Sequence, residues 1–588
     1  MKNNKRILIF TTFKKIVKII YNVDRKYIYI TTALVIFLSL LPVVSLKIMQ
    51  SIINLIQTQI GNLNWIFTLV VFYLFIEFIS MLLSAIAGYY KEKFELKFNI
   101  EMKRKVLEKA SRLRLQDYES SEIYDMLQRA ENQTQGGLLG YFDTILGMVG
   151  SLITCVSFIC IVFSFRFWIV PILVIIPIIR YVISNRINNE EFEMLKKRTK
   201  EERKAWYDSY IITCGMNYKE LKLYNLFTYF IQKFENLMKE FAKQDLHIMK
   251  RRVGFMALFS IAEQILIGCL FAFTIYCGFL GKIMIGDVLV YTKAMVSAKG
   301  QIQDAIQTIA ELNKSCMFIG QLFEFMDLRE EELSGDTDLD RIRCIEVKNL
   351  SFKYRDNEEY TLNNVTFKIE EGDFIAIVGR NGSGKSTLMK LLLGLYEEYE
   401  GEILINGVNL KKIDKVKYLS RIGALFQDFT KYEATIRENV CFSNLRTLEN
   451  DEEIVGICNK FGLGGLLNEQ EDGIDTQLGF WFESGKELSF GQWQKVALAR
   501  AFNRDADLYF LDEPNAALDA ISEHEMAELY EESFKNKMGI VIVHRFNNFV
   551  HNANKIIVLK DGYIDNIGDH DYLMIKSEEY MNLYSFQE

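Results

Sequence analysis

The sequence predicts two fold classes in one chain: an all-α membrane domain of six spans, followed by an α/β domain built around a phosphate-binding loop. Three observations carry this. Apolar stretches of bilayer-crossing length, or nearly so, crowd the first half. A glycine-rich loop lies between a strand pattern and a helix pattern in the second half. And 588 residues exceed what a single hydrophobic core supports.

The composition narrows the class further. Half of the residues are hydrophobic and 25% are charged, too apolar for a disordered chain and too charged for one lying wholly in a membrane. A net charge of −7 is small for this length and leaves no electrostatic footprint for nucleic acid. The nine cysteines include no C-x-x-C pair, which excludes the usual zinc and redox spacings. Each reads as a small buried hydrophobe.

Residues 1–26 form a basic lead containing Lys2, Lys5, Arg6, Lys14, Lys15, Lys18, Arg25 and Lys26, with Ile16, Ile19 and Ile20 on one side. That pattern suits a helix lying on the cytoplasmic membrane surface, not a cleaved signal. The membrane domain then spans 27–327, with apolar stretches at about 27–46, 65–88, 138–164, 167–185, 254–279 and 283–306. The long connections Lys91–Arg129 and Arg186–Arg252 are dense in Lys and Arg, while the short ones carry only Lys47, Arg166 and Lys282. The positive-inside rule puts the N-terminus, both long loops and the second half in the cytoplasm. Phe94, Phe98, Met102, Val106 and Leu107 recur at helical spacing, so the first long loop continues its span as a packed helix. The sixth stretch is interrupted by Asp287, Lys293 and Lys299, and Glu77 and Glu263 sit inside apolar runs. Inter-helix hydrogen bonding or protonation accounts for such acids more simply than a place in a substrate path.

Residues 328–343 are charged and apolar-poor and read as a linker; residues 344–588 alternate short apolar strands with helices. Phe374–Val378 is a buried strand running into Gly379-Arg380-Asn381-Gly382-Ser383-Gly384-Lys385-Ser386-Thr387 and then a helical Leu388–Leu392. This is a complete P-loop in its strand–loop–helix setting, whose N–H groups and helix N-terminus point at phosphates. Lys385 is placed to reach the β- and γ-phosphates, and Ser386 to ligate Mg²⁺. A second apolar strand, Leu508–Leu511, ends in Asp512-Glu513. Asp512 then belongs to the Mg²⁺ shell, and Glu513 is free to act as general base on the attacking water.

Between these motifs stands Leu488-Ser489-Phe490-Gly491-Gln492. With it the chain resembles ATP-binding-cassette (ABC) exporters over nearly its whole length, since their signature is L-S-G-G-Q. The resemblance implies roles at matching positions. Tyr354 corresponds to the aromatic that stacks on adenine. Gln427 corresponds to the Q-loop residue that senses Mg²⁺ and touches the membrane domain. Leu518-Asp519 corresponds to the D-loop, and His544 to the switch histidine that contacts the γ-phosphate. Ser489, Gly491, Gln492 and Asp519 would complete an ATP site across a head-to-tail pair of cassettes. Coupling helices are expected around Tyr118–Ala130 and Lys219–Tyr224. Two positions depart from the pattern: Phe490 replaces a signature glycine, where a bulky residue resists positive φ, and Ala516 replaces the usual D-loop serine.

The same resemblance implies a half-transporter in a bacterial plasma membrane that exports its substrate by alternating access, using ATP and Mg²⁺. With Ser489, Gly491, Gln492 and Glu513 all present, a homodimer is expected over pairing with a paralogous half-transporter. Gln492-Trp493 and Ala517–Glu523 look most like exporters of lantibiotic-type peptides, the nisin and subtilin group. The alternatives are a multidrug or lipid exporter and, further off, an ATP-gated channel or regulator. The first Cys is Cys155 and the first His is His247, so no N-terminal Cys–His protease is expected. A cargo with a leader would need a separate protease, alongside any modification enzymes.

Overall fold

A computed structural model describes the chain apart from residues 1, 60–61, 121–122, 124–125, 128–129, 132–133, 135, 332, 334, 356, 516–525, 527, 531, 535, 544–547 and 586–588. It divides into two compact units, one of Met1–Arg112 with Ser120–Leu328, the other of Leu113–Glu119 with Arg329–Glu588.

The first unit is helical. Its long helices are Lys2–Thr58, Leu63–Ala110, Gly137–Phe165, Ile169–Thr213, Phe227–Phe279 and Ile285–Met326. The first is interrupted at Asp24, whose backbone (φ −160°, ψ 103°) is extended, so the basic lead is set off from the apolar part. At 1.5 Å per residue, Leu63–Ala110 runs about 72 Å, more than twice the roughly 30 Å hydrocarbon core of a bilayer. A span and its extension beyond the bilayer are therefore one continuous helix.

Among the described residues, five helices are long and apolar enough to cross a membrane: Phe10–Thr58, Leu63–Ala110, Gly137–Phe165, Ile169–Leu195 and Phe227–Phe279. The sixth expected span, in Ile285–Met326, is long enough but too polar to join them. Its charges are held by neighbouring helices. The Asp287 carboxylate accepts from Gln50 Nε2 (2.6 Å), Asn54 Nδ2 (2.9 Å) and the Met284 N–H (3.1 Å), and Lys299 faces Glu263. Val290, Ala294, Met295 and Ala298 of the same helix are buried against Leu46, Phe158, Val162, Leu173, Ile267 and Leu270. Small residues at that seam let helices approach closely, the packing that holds a membrane bundle.

The second unit is α/β. Strands β1 (Cys344–Phe352), β2 (Leu362–Glu370), β4 (Glu400–Ile405) and β5 (Val408–Asn409) make an antiparallel sheet in the order β2-β1-β4-β5. A second sheet has the order β10-β9-β3-β8-β7-β6, from β3 (Phe374–Gly379), β6 (Ile422–Leu425), β7 (Leu508–Asp512), β8 (Met538–Ile542), β9 (Lys555–Lys560) and β10 (Tyr563–Gly568). Its inner strands are parallel and only β10 runs against its neighbour. Strands β7 and β8 are buried along their whole length, as expected of parallel strands covered on both faces. Parallel strands end together, so the C-terminal ends of β3 and β7 deliver the P-loop and Asp512 to the same edge.

Candidate active site

The site grows from the end of β3. Gly379 has φ +154°, and a Cβ there would lie 2.3 Å from the Leu559 carbonyl oxygen and 2.7 Å from Ser383 Oγ. Gly384 has φ +101°, and its Cβ would meet Leu362 Cδ2 at 2.6 Å. At both positions only glycine fits the curl that turns the strand into helix Lys385–Leu392. Arg380, Asn381 and Gly382 form the exposed tip, while Ser383, Gly384, Lys385 and Thr387 are buried.

The ammonium of Lys385 donates to the carbonyls of Gly379 (2.7 Å) and Arg380 (3.0 Å), so it lies across the mouth of the loop. Burial pushes its pKa down, and the carboxylates of Asp512 and Glu513 oppose that. Ser386 Oγ donates to Asp512 Oδ2 at 3.1 Å. Asp512 is buried at the end of β7, and its pKa is pushed up to about 6, chiefly by burial, with the Ser386 hydrogen bond and Lys385 pulling the other way. Asp512 Oδ1 and Ser383 Oγ are buried without a hydrogen-bond partner among the described residues. A hydroxyl and a carboxylate with an oxygen to spare suit a hard divalent cation such as Mg²⁺.

The adjacent Glu513 sits at φ +50°, a region a non-glycine residue occupies only when its surroundings hold it there. Its N–H donates to the Ile542 carbonyl (3.1 Å), its carbonyl accepts from Gln494 Nε2 (3.0 Å), and its carboxylate accepts from Gln427 Nε2 (3.0 Å). Gln427 follows β6, which pairs with β7, so strand order explains the meeting. Tyr354 shares a hydrogen bond with Thr387 Oγ1 (3.0 Å) and stands edge-on to Phe352 and Tyr396, which ties its ring to the P-loop helix.

Two partners of this site escaped sequence reasoning. Gln494 lies two residues beyond the signature. Glu579, on the helix Glu578–Ser585, is buried and takes Arg380 Nε at 2.6 Å and Lys560 Nζ at 3.2 Å. Glu579 belongs to no motif; an acid in the last helix is a signal only once the fold is known.

The signature opens helix Phe490–Phe502. Ser489 caps it and forms a capping box with Gln492, each side chain bonded to the other's backbone N–H. Phe490 is not among the positive-φ residues, so the strain expected of a bulky group there does not arise. Its half-exposed ring packs on Phe429 at 5.5 Å, with Lys431 Nζ 5.6 Å above it. Gly491 lies in the first turn of that helix. Asp519, Leu518, Ala516 and His544 lie outside the described residues. His570 bonds Tyr580 OH (2.7 Å) and packs on His551, and burial lowers its pKa.

The segment that joins the second unit from the first long loop is Leu113–Glu119, which overlaps the start of the expected Tyr118–Ala130. Leu115 packs against the core that underlies the P-loop, Arg114 pairs with Glu398 (3.1 Å), and Glu119 accepts from Tyr396 OH (2.7 Å). In the second loop, a short 3₁₀ turn at Gly215–Asn217 leads into helix Tyr218–Leu223.

Comparison with known proteins follows the same division. Residues 362–516 match the family described as ABC transporter. Over 99% of its length the chain is 37% identical to the Subtilin transport ATP-binding protein SpaT of Bacillus subtilis, covering 96% of that protein. It is 32% identical to the Nisin transport ATP-binding protein NisT of Lactococcus lactis subsp. lactis, over 97% of the chain and 96% of the relative. An ATP-dependent lipid A-core flippase of Haemophilus ducreyi is 32% identical over 51% of each chain. The solved structure of a bacterial Atm1-family ABC exporter with ATP bound superposes with a TM-score of 0.80 over 96% of this chain and 99% of that one, at 19% identity, and so shares the fold.

Proposed function

The chain belongs to the ABC transporter family, and from that premise we propose that it exports a peptide, modified after synthesis, out of a bacterial cytoplasm. It is a multi-pass membrane ATPase coupled to transport. The observation that supports its motor chemistry is the pairing of two contacts side by side, Ser386–Asp512 and Gln427–Glu513. In this reading Gly379–Thr387 wrap the phosphates of ATP, Lys385 turns from its loop carbonyls to the β- and γ-phosphates, and Tyr354 supports adenine. Ser386, Asp512 and Gln427 would hold Mg²⁺, which would supply positive charge to offset the negative charge on the terminal phosphoryl group. Glu513 takes the proton of the attacking water, with Gln427 fixing its carboxylate.

Two copies complete two sites, each with Ser489, Gly491, Gln492 and Asp519 from the opposite copy and His544 beside its own P-loop. The cassette and the N-terminus face the cytoplasm. Leu113–Glu119 carries the closure of the cassettes to the helices, because its side chains are seated beside the P-loop helix. The peptide cargo rests on similarity to the subtilin and nisin transport proteins along almost the whole chain. A lipid cargo is the second reading, favoured by the flippase likeness, which covers only half of the chain.

The test is mass spectrometry of the medium of the native host, comparing wild type with Glu513→Gln. Loss of a defined peptide from the medium, with its precursor retained in the cells, is the expected result. Unchanged peptides with altered lipids would replace the cargo class and leave the motor in place.

A further inference from the structure

The helical unit buries a group of charges that the motor does not use. Glu263, on helix Phe227–Phe279, is 2% exposed. Its Oε2 alone takes three cationic or polar neighbours: Arg180 Nη1 at 3.6 Å, Lys299 Nζ at 3.6 Å, and the amide of Gln303, which donates to it. Its Oε1 is buried with no hydrogen-bond partner among the described residues. Arg180 comes from helix Ile169–Thr213, and Lys299 and Gln303 from Ile285–Met326, so three helices meet here.

The group lies deep. Counting 1.5 Å per residue from the neighbouring ends at Ile169, Phe279 and Ile285, Arg180, Glu263 and Lys299 sit about 17, 24 and 21 Å down. Across a core of roughly 30 Å, that is beyond the midplane. Ile267 and Leu270 follow Glu263 on the same helical face and are buried with Leu173, Ala294 and Ala298, an apolar layer between the charges and the near end of the bundle.

Two features separate this group from a simple structural ion pair. Among the described residues it carries two cations and one carboxylate, so one positive charge is left over at a depth where uncompensated charge is costly. And its one carboxylate is loaded on a single oxygen while the other is buried and unbonded among those residues. The site lacks an anion for Arg180 and Lys299, and an N–H donor for Glu263 Oε1. A peptide's terminal carboxylate supplies the first, and the amide N–H of the same residue supplies the second. We propose that Arg180, Glu263, Lys299 and Gln303 bind the carboxylate end of the exported peptide. This rests on the peptide reading of the cargo.

The experiment uses the full chain in nanodiscs of neutral phosphatidylcholine and a fluorophore-labelled hydrophobic peptide, with either a free C-terminal carboxylate or a C-terminal amide. Anisotropy should show the acid binding about tenfold tighter, the scale of a charge-assisted hydrogen bond. Lys299→Gln should erase that preference and Lys299→Arg should keep it. Glu263→Gln should tighten the acid further, since it removes the competing carboxylate; a merely structural Glu263 predicts the opposite. Equal binding of acid and amide by the wild type overturns the site while leaving the peptide reading intact. A preference that survives Lys299→Gln does the same. Should Lys299→Gln not fold, the wild-type comparison of acid with amide decides alone. Binding of neither peptide overturns the peptide reading and the site with it.

Discussion

The two units keep their chemistry in different places. In the cassette, the two contacts Ser386–Asp512 and Gln427–Glu513 draw on three short stretches, Gly379–Thr387, Leu425–Asp428 and Asp512–Glu513, each at or just beyond the end of a buried strand. In the helical unit, the charges around Glu263 come from positions 180, 263, 299 and 303, with no local pattern linking them. Burial differs in the same way. Strand β7 is buried throughout, whereas in the most apolar window of helix Leu63–Ala110 only 6% of residues are buried within the chain. Water drives the cassette to hide its apolar residues, but lipid tails accept them on the outside of a bundle. The motor chemistry can thus be written in local motifs, while the charge group around Glu263 is assembled from helix packing.

The sharpest way to break this contrast is Glu513→Gln. If the local motif carries the chemistry, ATP hydrolysis falls by about 10³-fold, within the range of a lost general base, while ATP binding persists. Phosphate release and nucleotide binding measured on the same preparation check it. A loss of tenfold or less would remove Glu513 from the role of base.

Next in size is the cassette core. Ile377 of β3 is 1% exposed and lies two residues before the P-loop. Ile377→Ala should cost about 2–5 kcal/mol, read from the denaturant midpoint of the cassette transition. A smaller effect is expected from pH. The Asp512 carboxyl is raised to about 6 from its ordinary 3.8, so below about pH 6 the empty site holds a proton there. Mg²⁺ needs the carboxylate, so the proton competes and Mg²⁺-dependent ATP affinity should weaken as pH falls through 6, by at most about tenfold per unit. Titration of ATP binding with and without Mg²⁺ between pH 5 and 8 measures it, and Asp512→Asn should flatten the profile.

What the sequence made legible follows the same line. The P-loop, Asp512 and Glu513 could be read directly because glycine spacing and strand ends dictate where they go, whereas Gln427 was reached only through the family resemblance. Glu579 and Gln494 could not, since a partner contributed by a distant helix leaves no spacing to detect. The sixth span was legible in its length and in its interrupting charges, but not in what holds them: Asp287 and Lys299 are tolerated through groups on other helices, Gln50, Asn54 and Glu263. Phe490 misled for a local reason. The position was read as needing a glycine conformation, but with Ser489 as the cap it falls in the first helical turn, where any side chain is allowed.

The smallest effect is expected where the two units differ most. Ile86 projects from helix Leu63–Ala110 and is about half exposed in the single chain. If lipid tails cover it, Ile86→Ala trades one apolar surface for another. Its cost should then stay below about 0.5 kcal/mol, a shift of at most about two degrees in the thermal midpoint of the purified protein in nanodiscs. Lipid fills the space left by the missing carbons, so no rigid cavity forms and the large penalty expected at Ile377 has no counterpart. A cost approaching that of Ile377→Ala would mean that protein, not lipid, packs on this face, and the surface supplied by a second copy of the chain is then the one to map. Measuring Ile86→Ala and Ile377→Ala side by side puts the same side-chain change in both solvents of the molecule, and the difference between the two costs isolates what each solvent contributes.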